Sequence, residues 1–222
     1  MAETHATGLL RAGLLDGVRI LVAGAPAPPS APDGVDSAAP TGESPAMAVR
    51  GACAALGARV CSRVLAGGDA QEESAGDAAT QALDQMGDID LLFVDGASLF
   101  AAASVEREAR DALVACLEAA WIVTRAVAER VFIASESGGR IVYLAPARSA
   151  GVHAGAAAAG LENLARTLSI EWARYGITPV AIAPGVDTAS GEVAALTAYL
   201  ASPAGDYFSG CVLDLRGPEA RP

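Results

Sequence analysis

The sequence predicts an α/β protein: one doubly wound parallel sheet with helices on both faces, in a single domain over residues 1–222. Three observations point there. Short apolar runs bounded by turn residues recur along the chain, the pattern of strands buried on both faces. Between them lie longer segments with apolar residues at helical spacing. The length suits one domain, and no internal repeat or second composition interrupts it.

The elements follow in order. Residues 18–23 (VRILVA) form the first strand, closed by Gly24. Residues 26–46 hold six prolines with Gly, Ser, Asp and Thr and no periodicity, which reads as an inserted loop. Ser44-Pro45 supplies an N-cap and a proline at the first helical position, and the helix runs through Met47, Val49, Cys53 and Leu56 to Gly57. Residues 58–65 read as a strand, with a weak helix to Met86 behind it. A strand at 91–94 precedes one long helix over 104–130, striped by Leu113, Leu117, Trp121 and Thr124. A strand at 140–145 (RIVYLA) leads to a second long helix at 154–175, with Leu161, Leu164, Leu168 and Trp172 on one face and Gly176 as its stop. Strand 178–183, helix 192–200 and strand 211–215 complete the alternation.

Composition narrows the class of function. The chain is acidic, with a net charge of -11, and shows no clustered basic patch, so neither nucleic acid nor an anionic membrane is an expected partner. Cys53, Cys61, Cys116 and Cys211 stand apart without a CxxC pair, and only two histidines occur, so no metal site is expected. The four thiols read as buried small hydrophobes. No apolar leader and no run of 18 apolar residues appears, and the expected location is the cytoplasm. All fifteen basic residues are arginine; the chain has no lysine.

Four segments read together carry a family resemblance. Residues 15–25 (LDGVRILVAGA), 138–144 (GGRIVYL), 160–185 (GLENLARTLSIEWARYGITPVAIAPG) and 207–215 (YFSGCVLDL) resemble the short-chain dehydrogenase/reductase family. The likeness is strong in the second half and weak between Leu65 and Met86. It implies a Rossmann-type domain, commonly tetrameric, that binds NAD or NADP and interconverts alcohols and ketones. It also implies four catalytic groups: a tyrosine hydroxyl that moves the proton, a lysine four residues on, a serine and an asparagine. Counted from Gly160-Leu161-Glu162-Asn163, the lysine position is Ala158 and the tyrosine position Ala154. The serine position is Pro146 and the asparagine position, counted from Thr124, is Cys116. Alanine and proline carry no side-chain polar group. Nearby polar residues are Tyr143, Arg148, Ser149 and His153, of which His153 has the chemistry for acid–base work.

The resemblance places the dinucleotide turn at Gly24, with its two further glycine positions on Ser44 and Ala46 beyond the insert. Glycines there let backbone amides approach a pyrophosphate. Only Gly24 remains, and Glu43 adds a carboxylate beside the turn. The ribose-binding acid falls near Val64, and the family's Asn-Asn-Ala-Gly reads Val94-Asp95-Gly96-Ala97. The substrate lid expected after Pro184-Gly185 is shortened to residues 186–191.

These readings lead to a chain that binds no cofactor itself and serves as a non-catalytic subunit. Its expected partner is an active member of the family, carrying NAD or NADP, in a heterodimer or heterotetramer, with a hydroxyacyl-CoA or steroid-type substrate. Leu113, Leu117, Trp121, Leu161, Leu164, Leu168, Trp172, Tyr207 and Phe208 are the interface candidates, because the corresponding helices and final strand make the dimer contacts in relatives. The same stripes also serve packing on the chain's own sheet, and both readings stand at this point. A small-molecule-binding or regulatory protein, and an oxidoreductase with unorthodox groups such as His153, are the alternatives.

Overall fold

A computed structural model describes residues 10–26, 43–65, 71–106 and 108–217. The strands are β1 (Arg19–Gly24), β2 (Arg59–Val64), β3 (Leu91–Asp95), β4 (Gly139–Leu144), β5 (Ile177–Ala183) and β6 (Val212–Asp214). The helices are α1 (Pro45–Ala55), α2 (Gln71–Met86), α3 (Gly96–Glu106), α4 (Ala109–Val127), α5 (Ala154–Glu171) and α6 (Ser190–Ala201). The strands form one sheet in the order β2-β1-β3-β4-β5-β6, every pair parallel. The order reverses between β1 and β3, and a crevice at such a switch point is where open α/β sheets bind ligands. Among the described residues only β2 lies outside β1, so the reversed half of the sheet is two strands wide.

Period-two alternation distributes the strands' side chains between two cores. Leu21, Ala23, Leu92, Val94, Ile141, Tyr143 and Ala181 face α2, α4 and α5. Ile20, Val22, Leu91, Phe93, Val142, Leu144, Val180 and Ile182 face α1 and α6. Every residue of β3 is buried; the apolar run at 91–94 predicts this for all but Asp95. Small residues allow close approach between layers. A Cβ at Gly160 would meet Leu117 of α4 at 2.7 Å, and one at Gly139 would meet the Phe132 ring at 2.3 Å.

The single helix expected at 104–130 is two helices. α3 begins immediately after β3, where Asp95 takes the Ser98 amide at 3.0 Å, and α4 begins anew after Glu108, whose backbone is extended (φ -62, ψ 152). A π-helical turn, Ala128–Ile133, then ends the segment. Ser44 caps α1 as expected, its Oγ accepting the Met47 amide at 3.4 Å. The insert's residues 27–42 lie outside the described residues.

Candidate functional site

The site positions gather at the carboxyl ends of β1, β3, β4 and β5. At the end of β1, Gly24 is packed against the start of α3. A Cβ there would meet Ser98 Oγ at 2.7 Å and Asp95 Cβ at 3.0 Å. Ser98 is a staple: its Oγ donates to the Asp95 carbonyl at 2.9 Å and accepts the Ala25 amide at 3.0 Å. The Asp95 carboxyl in turn accepts the Ser98 amide at 3.0 Å and is held by the Ala97 amide. Asp95 is only 1% exposed. Burial pushes its pKa up from the ordinary carboxylate range, with the Ser98 and Ala97 hydrogen bonds opposing. The first-turn amides of α3 are therefore occupied by this chain's own carboxyl, and one amide of α1 by Ser44.

The positions assigned to the four catalytic groups are all buried. Ala154 and Ala158 lie on the inward face of α5 with Ala157 and Leu161. Pro146 is buried one residue beyond Ala145, which bonds β5 through Ile182. Cys116 is fully buried in α4, its Sγ 3.5 Å from the Gly96 carbonyl. Burial, with the Asp95 carboxylate adding to it, pushes this thiol up to about 12, so it stays protonated at neutral pH.

The polar residues nearby divide sharply. Tyr143 is wholly buried, and its hydroxyl meets Thr124 Oγ1 at 2.9 Å; burial raises its pKa well beyond the ordinary phenol range. It belongs to the core. Arg148, Ser149 and His153 are exposed on the loop before α5. His153 occupies the N-cap of α5 with φ 65, a left-handed conformation uncommon for a non-glycine residue, and its side chain makes no capping bond.

The segment after β5 is a pinned turn. Thr188 Oγ1 accepts the Gly185 amide at 2.8 Å and donates to the Leu215 carbonyl at 3.3 Å. The Glu192 carboxylate takes the Ala189 amide at 2.9 Å, and Ser190 Oγ donates to the Glu43 carbonyl at 2.7 Å. α6 thus starts at Ser190, two residues before the expected Glu192, and is tied directly to the approach of α1. Among the described residues no cluster of His, Cys, Asp and Glu could hold a metal ion.

A sequence model of the family described as "short chain dehydrogenase" matches residues 50–195. The chain belongs to the short-chain dehydrogenase family. No curated protein matches it in sequence. Its fold is similar to that of a solved citronellol catabolism dehydrogenase from Pseudomonas aeruginosa PAO1, at 24% identity and a TM-score of 0.72 over 96% of this chain and 99% of that one. It is also similar to a short chain dehydrogenase from Mycobacterium smegmatis (24%, TM-score 0.68, 94% and 95% covered). A third likeness is a hydroxysteroid dehydrogenase from Escherichia coli (15%, TM-score 0.64, 92% and 98% covered).

Within this short-chain dehydrogenase fold the interface candidates have different surroundings. Leu161 and Leu168 are buried beneath α5 against the sheet, which removes them from any surface. Leu113, Leu117, Leu164, Trp172 and Phe208 are half-buried, whereas Trp121 is at the surface and Tyr207 is 89% exposed. Trp121 stacks on Trp172 with ring centroids 6.0 Å apart, joining α4 to α5. Phe208 meets Tyr199 edge-on at 6.0 Å. No helix among the described residues is long and apolar enough to cross a membrane. The Asp95–Ser98 staple was missed in the sequence, although an Asp three residues before a Ser at a strand-to-helix junction is a recognisable capping pattern.

Proposed function

We propose that this chain is a non-catalytic short-chain dehydrogenase subunit that assembles with an active NAD(P)-dependent member of the family. The observation that carries the reading is the head of α5. Buried Ala154 and Ala158 stand where a proton-transferring phenol and its lysine belong, in a chain with no lysine anywhere. Neither side chain can donate, accept or carry charge. Cys116 and Pro146 supply no substitute, since the one is a buried protonated thiol and the other has no side-chain donor.

The residues at the first turn do not fit a dinucleotide. Gly24 is filled from the α3 side by Ser98, and the α3 amides that would face an anion are capped by Asp95. No chemical step is assigned to a cofactor here; NAD or NADP belongs to the partner in this reading. The short turn between β5 and α6, held by Thr188 to Gly185 and Leu215, supports the reading of a chain whose substrate lid is reduced to residues 186–191. A hydroxyacyl thioester or a steroid-like alcohol is the substrate class proposed for the partner.

Purification of the tagged chain from its native source tests this. A short-chain dehydrogenase should co-purify at fixed stoichiometry and hold all the measured turnover of the complex. A chain that reduces a ketone with NAD(P)H by itself, or that assembles only with itself, contradicts the reading. An open depression of about 310 Å³ lined by Arg63, Val64, Glu73, Asp77 and Gln81 favours a second reading, a small-molecule-binding protein. A ligand-dependent rise in melting temperature that an Arg63→Ala substitution abolishes distinguishes it.

A further inference from the structure

Strand β2 is a free margin of the sheet. Among the described residues it pairs with β1 alone, and its bonds to β1 run through alternate residues: the Arg59 amide donates to the Val18 carbonyl and the Leu65 amide to the Gly24 carbonyl. The residues between, Val60, Ser62 and Val64, therefore turn their amides and carbonyls outward. Of these groups only the Ser62 carbonyl has a partner among the described residues, Arg63 Nη1 at 3.0 Å. A row of open backbone groups is a template for another strand.

Side chains and charge narrow what fits there. On the α1 side Val60 is half-buried, whereas Ser62 is exposed and Val64 is 61% exposed. On the α2 side stand Arg59 and Arg63, with buried Cys61 between them. Arg59 donates to the Gln85 and Met86 carbonyls at 2.6 and 3.2 Å, and Arg63 Nη2 to Gln85 Oε1 at 3.2 Å. Neither arginine forms an ion pair among the described residues. Burial raises the pKa of the Cys61 thiol, and the charges of Arg63 and of Arg50 on α1 oppose it, so a third guanidinium lies near. Between Glu43 and Asp69 the chain holds these three arginines and no acidic residue, although its net charge is -11. Glu73 and Asp77 of α2 share a depression with Arg63 and Val64, so the positive charge of the edge is least offset at Arg59.

We propose that β2 accepts an extended segment of a partner protein as an added edge strand, its acidic residues facing Arg59 and Arg63 and its β-branched residues beside Val60 and Val64. Main-chain bonds to Val60, Ser62 and Val64 supply the pairing, and the alternation of side chains supplies the choice of sequence. An incoming amide replaces Arg63 Nη1 on the Ser62 carbonyl, which frees that guanidinium for a carboxylate. A second copy of β2 would set arginines against arginines, so charge favours a different protein. The inference rests on this edge alone and holds whether or not the chain is a subunit of a dehydrogenase.

The experiment is fluorescence anisotropy of the purified chain with a short fluorescein-labelled peptide that alternates glutamate and valine. The peptide should bind saturably, and its lysine–valine counterpart about tenfold more weakly. Two further peptides carry methyl groups on either the valine or the glutamate backbone nitrogens. At least one should lose binding, because one set of amides faces β2. Ser62→Pro removes an outward amide at an edge position that tolerates proline and should weaken binding. Arg59→Gln, which keeps a donor for the α2 carbonyls, should narrow the preference for glutamate over lysine. Circular dichroism establishes that both variants are folded, and the peptide comparisons need no variant. Absence of saturable binding, equal binding of the lysine peptide, binding that both methylated peptides retain, or folded variants that change nothing overturns the proposal.

Discussion

Gly24 and Asp95 show how closely the end of β1 packs on the start of α3. The space a Cβ at Gly24 would need is taken by Ser98 Oγ and Asp95 Cβ. Gly24→Ala should therefore destabilise the fold by about 1–3 kcal/mol, the usual cost of overpacking, read from urea denaturation. The alanines of α5 make the same argument from the other side. Ala154→Tyr with Ala158→Lys restores the expected pair on paper, yet both positions are buried, so the double variant should lose stability and gain no reductase activity. Appearance of NAD(P)H-dependent turnover in that variant would contradict this account of the site.

Two carboxylates should pull stability in opposite directions with pH. Burial raises the folded pKa of Asp95, so its contribution is present below the ordinary carboxylate pKa and is lost as pH rises through the raised value. Burial opposes ionisation of Asp90 too, but Arg19, bonded to it at 2.8 Å through both Nε and Nη2, holds its pKa below the ordinary value. Its contribution is present above the unfolded pKa and is lost as pH falls through the lowered one. Urea midpoints measured across the acid range should show Asp95→Asn removing the decline on the rising side, and Asp90→Asn removing the loss at the acid end.

At the scale of elements, legibility followed pattern strength. The runs at 18–23 and 140–145 are apolar on both faces and were readable as buried strands, and the structure places them as β1 and β4. Ser44-Pro45 announced α1 by its chemistry. The division of 96–127 into α3 and α4 was not readable, because no Gly or Pro occurs between Ala97 and Ser137 and the alanines at 101–103 favour helix throughout. The break rests on an extended Glu108 and on Asp95 starting α3 early, both set by tertiary context. Ser98→Ala should accordingly loosen the junction of β1 with α3, costing about 1 kcal/mol and raising amide exchange at Ala25.

The stripes on α4 and α5 were legible as amphipathic faces but not as to what covers them. Periodicity does not separate Leu161 and Leu168, which the sheet buries, from Trp121, which remains at the surface. The Trp121–Trp172 stack joins the two helices across their outer edge. Trp121→Ala removes the stack on Trp172 and should cost the isolated chain about 1 kcal/mol or more, and in the proposed assembly it should weaken subunit association by tenfold or more besides. Comparing melting temperature with complex stability separates the two effects.

For the whole molecule, the chain keeps the family fold, and the proposed reading assigns the positions of the catalytic groups to Ala154, Ala158, Pro146 and the buried, protonated thiol of Cys116. The alternation of strands and helices and the parallel sheet follow from sequence patterning, whereas the strand order, and with it the switch point, is set by which strands pair in space. The fate of the switch point does not follow from patterning either, because it depends on side chains from β1, β3 and α3 meeting in space. Titration calorimetry of NADH and NADPH into the purified chain tests the central claim most directly. The account predicts no saturable heat with either nucleotide, whereas stoichiometric binding accompanied by ketone reduction would contradict it.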